Sequence, residues 1–302
     1  MSTCITVVLM LVAVAFFIVT ERKGLGMVQL RQGPNKVSVK GILQAVADGV
    51  KLFKKEFSHP ISCSSELFFL GPVVCFFCAY SLWILFPSSI GSISFELGLL
   101  FFLCISSFGV YGVFLTGWIC DSRYSFLGAM RAVAQSVSYE VFLSTVLFLP
   151  LIFVGTFDLQ VVREMSFSYF LISQEVLVLW IICVLAETNR APFDFVEGES
   201  ELVAGYSVEY GGAGFALIAL AEYSNIMFMS MITGILFLSS FMWSSFFGSM
   251  VMSFWMVFIS YFIVWVRGVV PRFRYDLLMG LCWVVLLPLS LCLFSVVILF
   301  SL

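Results

Sequence analysis

Residues 4–20 read CITVVLMLVAVAFFIVT, an unbroken run without a charged side chain. A helix needs about 20 apolar residues to cross the hydrocarbon core of a bilayer. No basic residue precedes this run and no small-residue cleavage site follows it, so we interpret it as a first membrane span and not as a signal peptide. The chain is 62% hydrophobic with a mean hydropathy of +1.10, which extends the same interpretation to its whole length.

Further apolar runs of similar length follow the first one. Including it, we predict spans near residues 3–20, 67–86, 95–118, 129–154, 170–186, 211–236, 246–266 and 277–301. Apolar runs of this length indicate transmembrane helices. The sequence therefore predicts an all-α polytopic membrane protein with about eight transmembrane helices, organised as one integral membrane domain over residues 1–302.

Basic residues are concentrated in the odd-numbered connections between these spans. The first connection alone carries Arg22, Lys23, Arg31, Lys36, Lys40, Lys51, Lys54 and Lys55. Among the 15 Lys and Arg residues, Arg163 alone lies in an even-numbered connection. The positive-inside rule then predicts that the odd connections face the cytoplasm or its equivalent, the matrix.

The first connection also contains an amphipathic segment. Between residues 41 and 57, apolar side chains recur at helical spacing and basic ones occupy the other face. This helix is too short to span, so we expect it to lie in the membrane interface, as a surface anchor or with a further role. Glycine and proline predict turns at residues 21–26 and 31–35.

Several kinds of site are excluded or disfavoured. His59 is the only histidine, which excludes a centre built on two imidazoles. Cys75 and Cys78 form a CxxC pair inside an apolar run, where small buried thiols are the simpler interpretation. The sequence contains no GxGxxG or Walker-type loop for a nucleotide. No cofactor site is recognisable on this chain.

Apart from Glu96, at the edge of the third span, three acidic residues fall inside predicted spans. Glu140 and Glu222 lie about eleven residues into the fourth and sixth spans, and Glu175 lies near the start of the fifth. A carboxylate at bilayer depth costs about 2.5–3.5 kcal/mol on insertion scales and commonly marks an ion or proton path. The alternatives are a protonated structural carboxyl group or, for Glu175, an interfacial position.

The charged residues are densest in residues 186–202, AETNRAPFDFVEGESEL, within an acidic loop that we place at residues 187–209. Pro192 suits the first turn of a helix, which would put Asp194, Glu197 and Glu201 on one face. Arg190, three residues after Glu187, would offset part of the charge. Neighbouring carboxylates disfavour one another's ionisation, so the loop is either a proton relay or a solvated acidic surface.

This acidic stretch closely resembles a signature of the chain 1 family of respiratory complex I, NADH–ubiquinone oxidoreductase. Four segments carry the resemblance, in the order of the family and over almost the whole chain: 21–53, 186–202, 221–225 and 267–276. Within them, Gln29 to Asn35 reads QLRQGPN and Pro271 to Asp276 reads PRFRYD. We expect this family's fold and role.

The resemblance implies a membrane-arm subunit that forms much of the ubiquinone-binding tunnel. It also implies an acidic path coupling quinone reduction to proton translocation. Residues assigned by the likeness to this charge relay are Glu140, Glu187, Asp194, Glu197, Glu199, Glu201 and Glu222. Those assigned to the tunnel or the docking face are Arg22, Arg31, Asp48, Arg267, Arg272 and Arg274. The 41–57 helix would form the tunnel's membrane-side lip.

The resemblance also implies the surroundings of the chain. Ubiquinone would be the substrate, and the iron–sulfur cluster and FMN would belong to partner subunits, with no metal or redox cofactor on this chain. We expect as partners the hydrophilic-arm quinone-site subunits, small membrane subunits and lipid, with no nucleic acid, in the mitochondrial inner membrane. The residues alone leave two alternatives, a secondary transporter or channel and a structural anchor for a soluble enzyme.

Overall fold

A computed structural model of the chain describes residues 2–60, 63, 65–87, 95–164, 174–194, 205–238 and 245–301. Throughout these residues the regular secondary structure is helical. The α-helices are α1 (Ser2–Val28), α2 (Gln44–Lys54), α3 (Ser65–Ser81), α4 (Gly98–Ile119), α5 (Arg123–Val154), α6 (Gln174–Glu187), α7 (Gly212–Thr233), α8 (Ser245–Val269), α9 (Tyr275–Gly280) and α10 (Leu287–Ser301).

Shorter helical segments extend or join these helices. A 3₁₀ segment, Leu82–Leu85, continues α3, and a π segment, Gly234–Leu238, continues α7. A second π segment, Leu281–Leu286, joins α9 to α10 into one long helix. Residues 159–164, in the connection after α5, are also helical.

Within the described residues, seven helices are long and apolar enough to cross a membrane. They are Cys4–Val28, Glu66–Leu85, Gly98–Ile119, Arg123–Val154, Gly212–Leu238, Gly248–Val269 and Tyr275–Leu299. The predicted fold class, an all-α polytopic membrane protein, is therefore confirmed. The remaining predicted span corresponds to α6, whose 14 described residues follow residues 165–173, which lie outside the described part of the chain.

The bundle is arranged around α7, which packs against α1, α3 and α8. On one side α4 packs against both α3 and α5, while α6 and α10 pack against α5. The core between them is aromatic: the Phe228 ring lies 5.7 Å from Trp83 and 5.6 Å from Phe102, centroid to centroid. Because lipid tails are as apolar as these side chains, helices in a membrane gain little hydrophobic driving force by packing together. Dispersion contacts between large side chains such as these therefore matter more.

Glycines bring α3 and α4 into close contact. A Cβ atom on Gly71 would lie 2.6 Å from the Thr116 side chain, and one on Gly112 would lie 2.8 Å from Cys75 Sγ. Neither position has room for a larger residue. Small residues at such contacts let two membrane helices approach closely, which fixes the wall that α3 and α4 present to the inside of the bundle.

The first helix continues beyond the predicted span. Residues 21–26, predicted as a turn from their glycines, form the last part of α1, so that prediction was wrong. Tertiary packing explains the difference, because a Cβ atom on Gly24 would lie 3.3 Å from both Tyr261 and Val264 of α8. The turn predicted at residues 31–35 is confirmed as non-helical chain.

The amphipathic helix forms as α2, inside the predicted 41–57 range. Val46, Val50 and Phe53 repeat along it and are all more than half exposed. An apolar stripe of this kind suits the acyl boundary of a membrane interface. The helix packs against α1 and α7, which places it beside the end of the bundle where α1 finishes and α7 begins.

Candidate functional site

A buried ion cluster joins four parts of the chain at the end of α1. The Glu21 carboxylate is 3% exposed, and its Oε1 accepts hydrogen bonds from Nη1 of Arg190, at 3.3 Å, and from Nη1 of Arg267. Cζ of Arg190 lies 4.6 Å from the ring centroid of Tyr223 on α7. Two cations therefore contact the same oxygen of one carboxylate, with an aromatic face beside them, and Oε2 of Glu21 has no hydrogen-bond partner among the described residues.

The chain after α6 is not helical where a helix was predicted. Residues 188–194 form turns and include a cis peptide bond between Ala191 and Pro192. The Gln135 side-chain amide donates to the carbonyl of Phe193 at 3.0 Å, and the Phe273 amide donates to that of Pro192 at 3.1 Å. Donors from α5 and from the chain before α9 therefore satisfy these carbonyls in place of a helical ladder.

The same turn changes the expected pairing of its charges. Arg190 lies against Glu21 of α1, which corrects the expectation that it would offset the charge of Glu187 three residues earlier. The helical face predicted for Asp194, Glu197 and Glu201 does not form at Asp194. Glu197, Glu199 and Glu201 lie outside the described residues.

The segment before α9 docks against this turn. The rings of Phe193 and Phe273 stack at 5.8 Å with planes 16° apart, and Arg272 Nη2 lies 3.6 Å from the buried Oδ2 of Asp194. Arg274 pairs with Asp276 at 3.1 Å on the surface. Of the two arginines, Arg272 is therefore the one that reaches a buried acidic residue.

A polar cavity of about 110 Å³ lies between α3, α4, α5 and α7, and the end of α6 closes part of it. Two acidic residues line it, Glu187 from α6 and Glu222 from α7. A single buried water needs roughly 10–15 Å³, so the cavity has room for several. The other polar side chains of its lining are Ser106, Ser136, Thr188, Asn189, Tyr206 and Asn225.

The two acids of the cavity have different partners. Tyr206 donates its hydroxyl hydrogen to Oε1 of Glu222 at 2.5 Å. Oε2 of Glu187 and Oδ1 of Asn189 are buried and have no hydrogen-bond partner among the residues that the structure describes. Buried acceptors of this kind favour water or a proton, because an unpaired acceptor carries the full cost of desolvation.

Glu140 lies near this cavity without lining it. Its carboxyl group, half-buried on α5, interacts electrostatically with that of Glu187. Glu175, by contrast, is exposed in the first turn of α6, which agrees with the interfacial alternative. The structure thus places Glu187 and Glu222 on one cavity, and Glu140 within electrostatic range of Glu187.

Tyr210 anchors the chain that leads into α7. Its ring stacks on that of Phe68 at 4.3 Å, and its hydroxyl lies 3.2 Å from the Phe68 carbonyl and 3.3 Å from the Thr116 carbonyl. Burial raises the pKa of the Tyr210 phenol above its ordinary value, and the nearby Cys120 thiol acts in the same direction. The phenol therefore remains a neutral structural donor.

The basic residues of the first connection lie on the surface near α2. Arg22 pairs with Asp48 of α2 at 2.8 Å, and Nε of Arg31 donates to Gln29 at 2.8 Å. Both arginines are exposed, so these pairs contribute little to stability. Across the described residues, no group of three or more His, Cys, Asp or Glu side chains is arranged to hold a metal ion.

Sequence reasoning missed the carboxylate at the centre of the ion cluster. Glu21 immediately follows the apolar run of residues 4–20, and its depth could have been suspected from that position alone. Tyr206, Asn189 and Asn225 had no comparable signal, because neutral polar residues occur throughout such sequences. Only the packing of α3, α4 and α7 reveals that they share a cavity with the acids.

Comparisons with known proteins connect this arrangement to a family. The family model described as NADH dehydrogenase matches residues 1–298. The chain belongs to this family. Together with the relatives described next, this match confirms the chain 1 resemblance inferred from the sequence motifs, and the family is one of subunits of an oxidoreductase complex.

Individual relatives agree along nearly their whole length. NADH-ubiquinone oxidoreductase chain 1 of Aedes aegypti is 46% identical over 292 residues, which are 96% of this chain and 92% of the relative. The protein of the same name from Heterololigo bleekeri is 45% identical over 305 residues, covering 98% and 96%. That of Lampetra fluviatilis is 46% identical over 298 residues, covering 97% and 93%.

Proposed function

We propose that this NADH dehydrogenase family member is the membrane-arm subunit that forms part of a ubiquinone-binding tunnel and couples quinone reduction to proton translocation. The observation that carries the coupling is the polar cavity, which is lined by Glu187 and Glu222 and in which the Glu222 carboxyl group accepts a hydrogen bond from Tyr206. The tunnel would lie at the neighbouring end of the bundle, between the Glu21 cluster and the exposed apolar side of α2.

The residues divide the work between binding and charge transfer. Arg22, Arg31, Asp48, Arg267, Arg272 and Arg274 would line the tunnel or the face that docks the hydrophilic-arm subunits. Glu187, Asp194, Glu197, Glu199 and Glu201 would face the quinone chamber, and Glu140 and Glu222 would extend the path into the membrane. The FMN and iron–sulfur groups would be held by partner subunits, in the mitochondrial inner membrane with the odd connections on the matrix side.

The coupling step is electrostatic. A quinone that becomes a quinol accepts two electrons and takes two protons from nearby groups, so its proton donors are left with uncompensated negative charge. In a low-dielectric interior, such a charge acts over a longer range than in water. Glu187, Glu222 and Glu140 would respond by changing their protonation, and waters in the cavity would connect them.

The coupling is tested by neutralising Glu187. In the purified complex, we expect Glu187→Gln to lower NADH–quinone reductase activity about tenfold, a barrier change of ~1.4 kcal/mol. NADH oxidation by an artificial acceptor that bypasses quinone should be unchanged. Glu175→Gln is the matched control, because it removes the same charge from the exposed first turn of the same helix.

Two further variants neutralise carboxyl groups elsewhere on the proposed proton path. Glu140→Gln and Glu197→Gln should slow quinone reduction or uncouple it from proton pumping in reconstituted vesicles, with the assembly intact on a native gel. Normal turnover and normal pumping in all three variants would remove these carboxylates from the path. Weakened assembly before any loss of turnover would favour the structural-anchor alternative.

Membership in the complex is tested on gently solubilised membranes. We expect the chain to migrate in a native gel with a large assembly that stains for NADH dehydrogenase activity. If the chain ran alone or as a small oligomer, the transporter alternative would be favoured, and proton symport by the isolated chain would be the next measurement.

A further inference from the structure

The end of α1 closes into a turn that presents one leucine. The Arg31 amide donates to the Gly26 carbonyl at 2.8 Å, and the Leu30 amide donates to the Met27 carbonyl at 3.1 Å. These two nested bonds form a Schellman motif, a common way of ending an α-helix. In this motif Leu30 occupies the position that usually holds glycine, two residues beyond the end of α1.

Leucine suits this position poorly. The φ angle of Leu30 is 54°, in the left-handed region where the Cβ atom of an L-residue crowds the following carbonyl oxygen. Its side chain is 97% exposed and packs against almost nothing among the residues that the structure describes. The backbone is therefore strained, and these residues offer the side chain no contact that offsets the strain. Strained residues of this kind are concentrated at sites of binding and switching.

The chain after Leu30 returns to the side of α1 and holds the turn in place. A Cβ atom on Gly33 would lie 2.9 Å from Cα of Lys23, so the two backbones are in direct contact. Nζ of Lys23 in turn donates to the Lys40 carbonyl at 2.6 Å. A loop closed in this way loses less conformational entropy on binding than a free one. Leu30 is thus already in position for a partner.

The length of α1 places Leu30 beyond the hydrocarbon of the membrane. The apolar run of this helix ends at Thr20, and Arg22 and Lys23 follow. Val28, its last residue, lies about 9 Å further along the axis than Arg22, at 1.5 Å per residue. The whole helix of 27 residues is about 40 Å long, whereas the hydrocarbon core is ~30 Å thick. Leu30 therefore lies outside the acyl chains, where a protein can reach it.

The surface around Leu30 is positively charged. Residues 22–40 include five basic side chains and no acidic one: Arg22, Lys23, Arg31, Lys36 and Lys40. Asp48 of α2 balances Arg22, but Nε of Arg31 donates to the neutral Gln29 side chain, and this bond does not balance its charge. Such a surface attracts a partner with acidic groups and rejects one of like charge.

We propose that Leu30 anchors a docking surface for a water-soluble partner protein, which receives the side chain in an apolar pocket with an acidic rim. The pocket would cover the exposed leucine, and the rim would pair with Arg31 and the nearby lysines. The family is one of subunits of an oxidoreductase complex, so a partner protein is expected. The anchor deepens the proposed docking face and rests on the proposed function for that face alone, not for the charge relay.

A lipid surface is the other occupant that basic side chains would attract. It fits Leu30 less well, because the flanking Gln29 and Arg31 are polar and a single leucine adds little apolar area for insertion. A second copy of this chain would bring two positive surfaces together. A soluble protein of opposite charge is therefore the occupant that the leucine and the charge favour together.

The first experiment identifies what covers Leu30. Photo-leucine, a leucine analogue with a diazirine, is incorporated during growth, the purified complex is irradiated, and cross-linked peptides are sequenced by mass spectrometry. We expect residue 30 to be joined to a water-soluble subunit, next to acidic residues of that subunit. Cross-links only to lipid, only to residues 195–204 of the same chain or only to a second copy of it would overturn the proposal. The absence of any cross-link at residue 30 would do the same.

Two substitutions separate the side chain from the backbone strain. Leu30→Gly and Leu30→Asn both suit the left-handed conformation, so the turn itself should form as before. Both remove the apolar anchor, and we expect the affinity for the partner to fall on the order of tenfold, as for the loss of one buried leucine side chain. The measurement is the release of NADH-oxidising activity from the solubilised complex at graded urea concentrations, followed with an artificial electron acceptor.

Two further variants control this result. Leu30→Met keeps an apolar side chain and should retain the partner. Leu299→Asn removes a leucine that is 75% exposed near the end of α10, and it should also retain the partner. Unchanged retention in Leu30→Gly and Leu30→Asn would overturn the proposal, and so would an equal loss in Leu299→Asn. The coupling test gives a different result, because Glu187→Gln should lower turnover with the partner retained, whereas Leu30→Asn should lower retention.

Discussion

The Glu21 cluster and the polar cavity both bury carboxyl groups in the same bundle, but they surround them differently. Glu21 accepts from Arg190 and Arg267. Glu222 accepts from the Tyr206 hydroxyl. Among the described residues, Oε2 of both Glu187 and Glu21 lacks a hydrogen-bond partner, so the difference lies in the two arginines at Oε1 of Glu21. Cations hold a carboxylate in its charged form, whereas neutral surroundings let burial favour the protonated form. We therefore expect the partner of a carboxyl group, more than its depth, to decide whether the group holds a fixed charge or can exchange a proton.

The largest effect should come from removing a cation from the Glu21 cluster. Arg190→Gln removes one of the two cations that balance Glu21, and breaking a buried pair costs about 3–5 kcal/mol. We expect most of the assembled complex to disappear from a native gel of solubilised membranes.

Arg123→Gln is the control for the loss of Arg190. Arg123 is exposed at the start of α5 and should contribute little. Similar amounts of assembled complex in the two variants would mean that the buried cluster is not structural, and the contrast with the cavity would collapse.

A smaller effect should follow from displacing the backbone segment that holds Tyr206 at the polar cavity. A Cβ atom on Gly128 of α5 would lie 2.8 Å from the backbone of Gly205 and Tyr206. Gly128→Ala should therefore displace the Tyr206 hydroxyl from Glu222, with an overpacking cost of roughly 1–3 kcal/mol. We expect lower quinone reductase activity while the complex remains assembled, measured on the purified enzyme.

The matched control for the cavity is Gly109→Ala. Gly109 lines the same cavity from α4, but a Cβ atom there would have no neighbour within 4 Å. We expect its activity to remain close to that of the unmodified complex. Equal losses in both variants would point to a general sensitivity of the cavity wall and not to the Tyr206–Glu222 contact.

The smallest effect should come from removing the arginine that lies near Asp194. Asp194 is buried like Glu21, but this arginine is partly exposed. The buried Oδ2 of Asp194 lies 3.6 Å from Arg272, whose side chain is 40% exposed. Solvent screens such a pair, so Arg272→Gln should cost no more than about 1 kcal/mol. We expect a slight fall in the midpoint of thermal disassembly, with Arg123→Gln as the surface control. A fall as large as that of Arg190→Gln would place Asp194 with the fixed charges.

The membrane fold could be predicted from the sequence, because a transmembrane helix mainly requires a sufficiently long apolar run. The runs at 3–20 and 95–118 correspond to α1 and α4 with shifted ends. The end of α1 was misjudged, since packing of Gly24 against α8 outweighs the low helix propensity of glycine. Local pattern rules cannot include a contact with residues that lie more than two hundred positions away.

The site could be predicted only in part, because much of it depends on contacts between distant parts of the chain. Glu140 and Glu222 stood out because a charge inside an apolar run is costly wherever the chain folds. The turn at 188–194 was predicted as a helix from Pro192, but its carbonyls are satisfied by Gln135 and Phe273, from distant parts of the chain. Likewise, the pairing of Arg190 with Glu21 depends on tertiary packing that periodicity does not encode.

The ion cluster also has a consequence for how the chain is made. Glu21 and Arg267 are 246 residues apart, so a ribosome releases the acid long before the second base. At 5–20 residues per second, the interval is on the order of ten to fifty seconds. During that time, α1 must remain in the membrane without its later partner. The carboxyl group of Glu21 must then be either protonated or in contact with water. Biogenesis thus ends with a neutralisation step that locks the first inserted segment to one of the last.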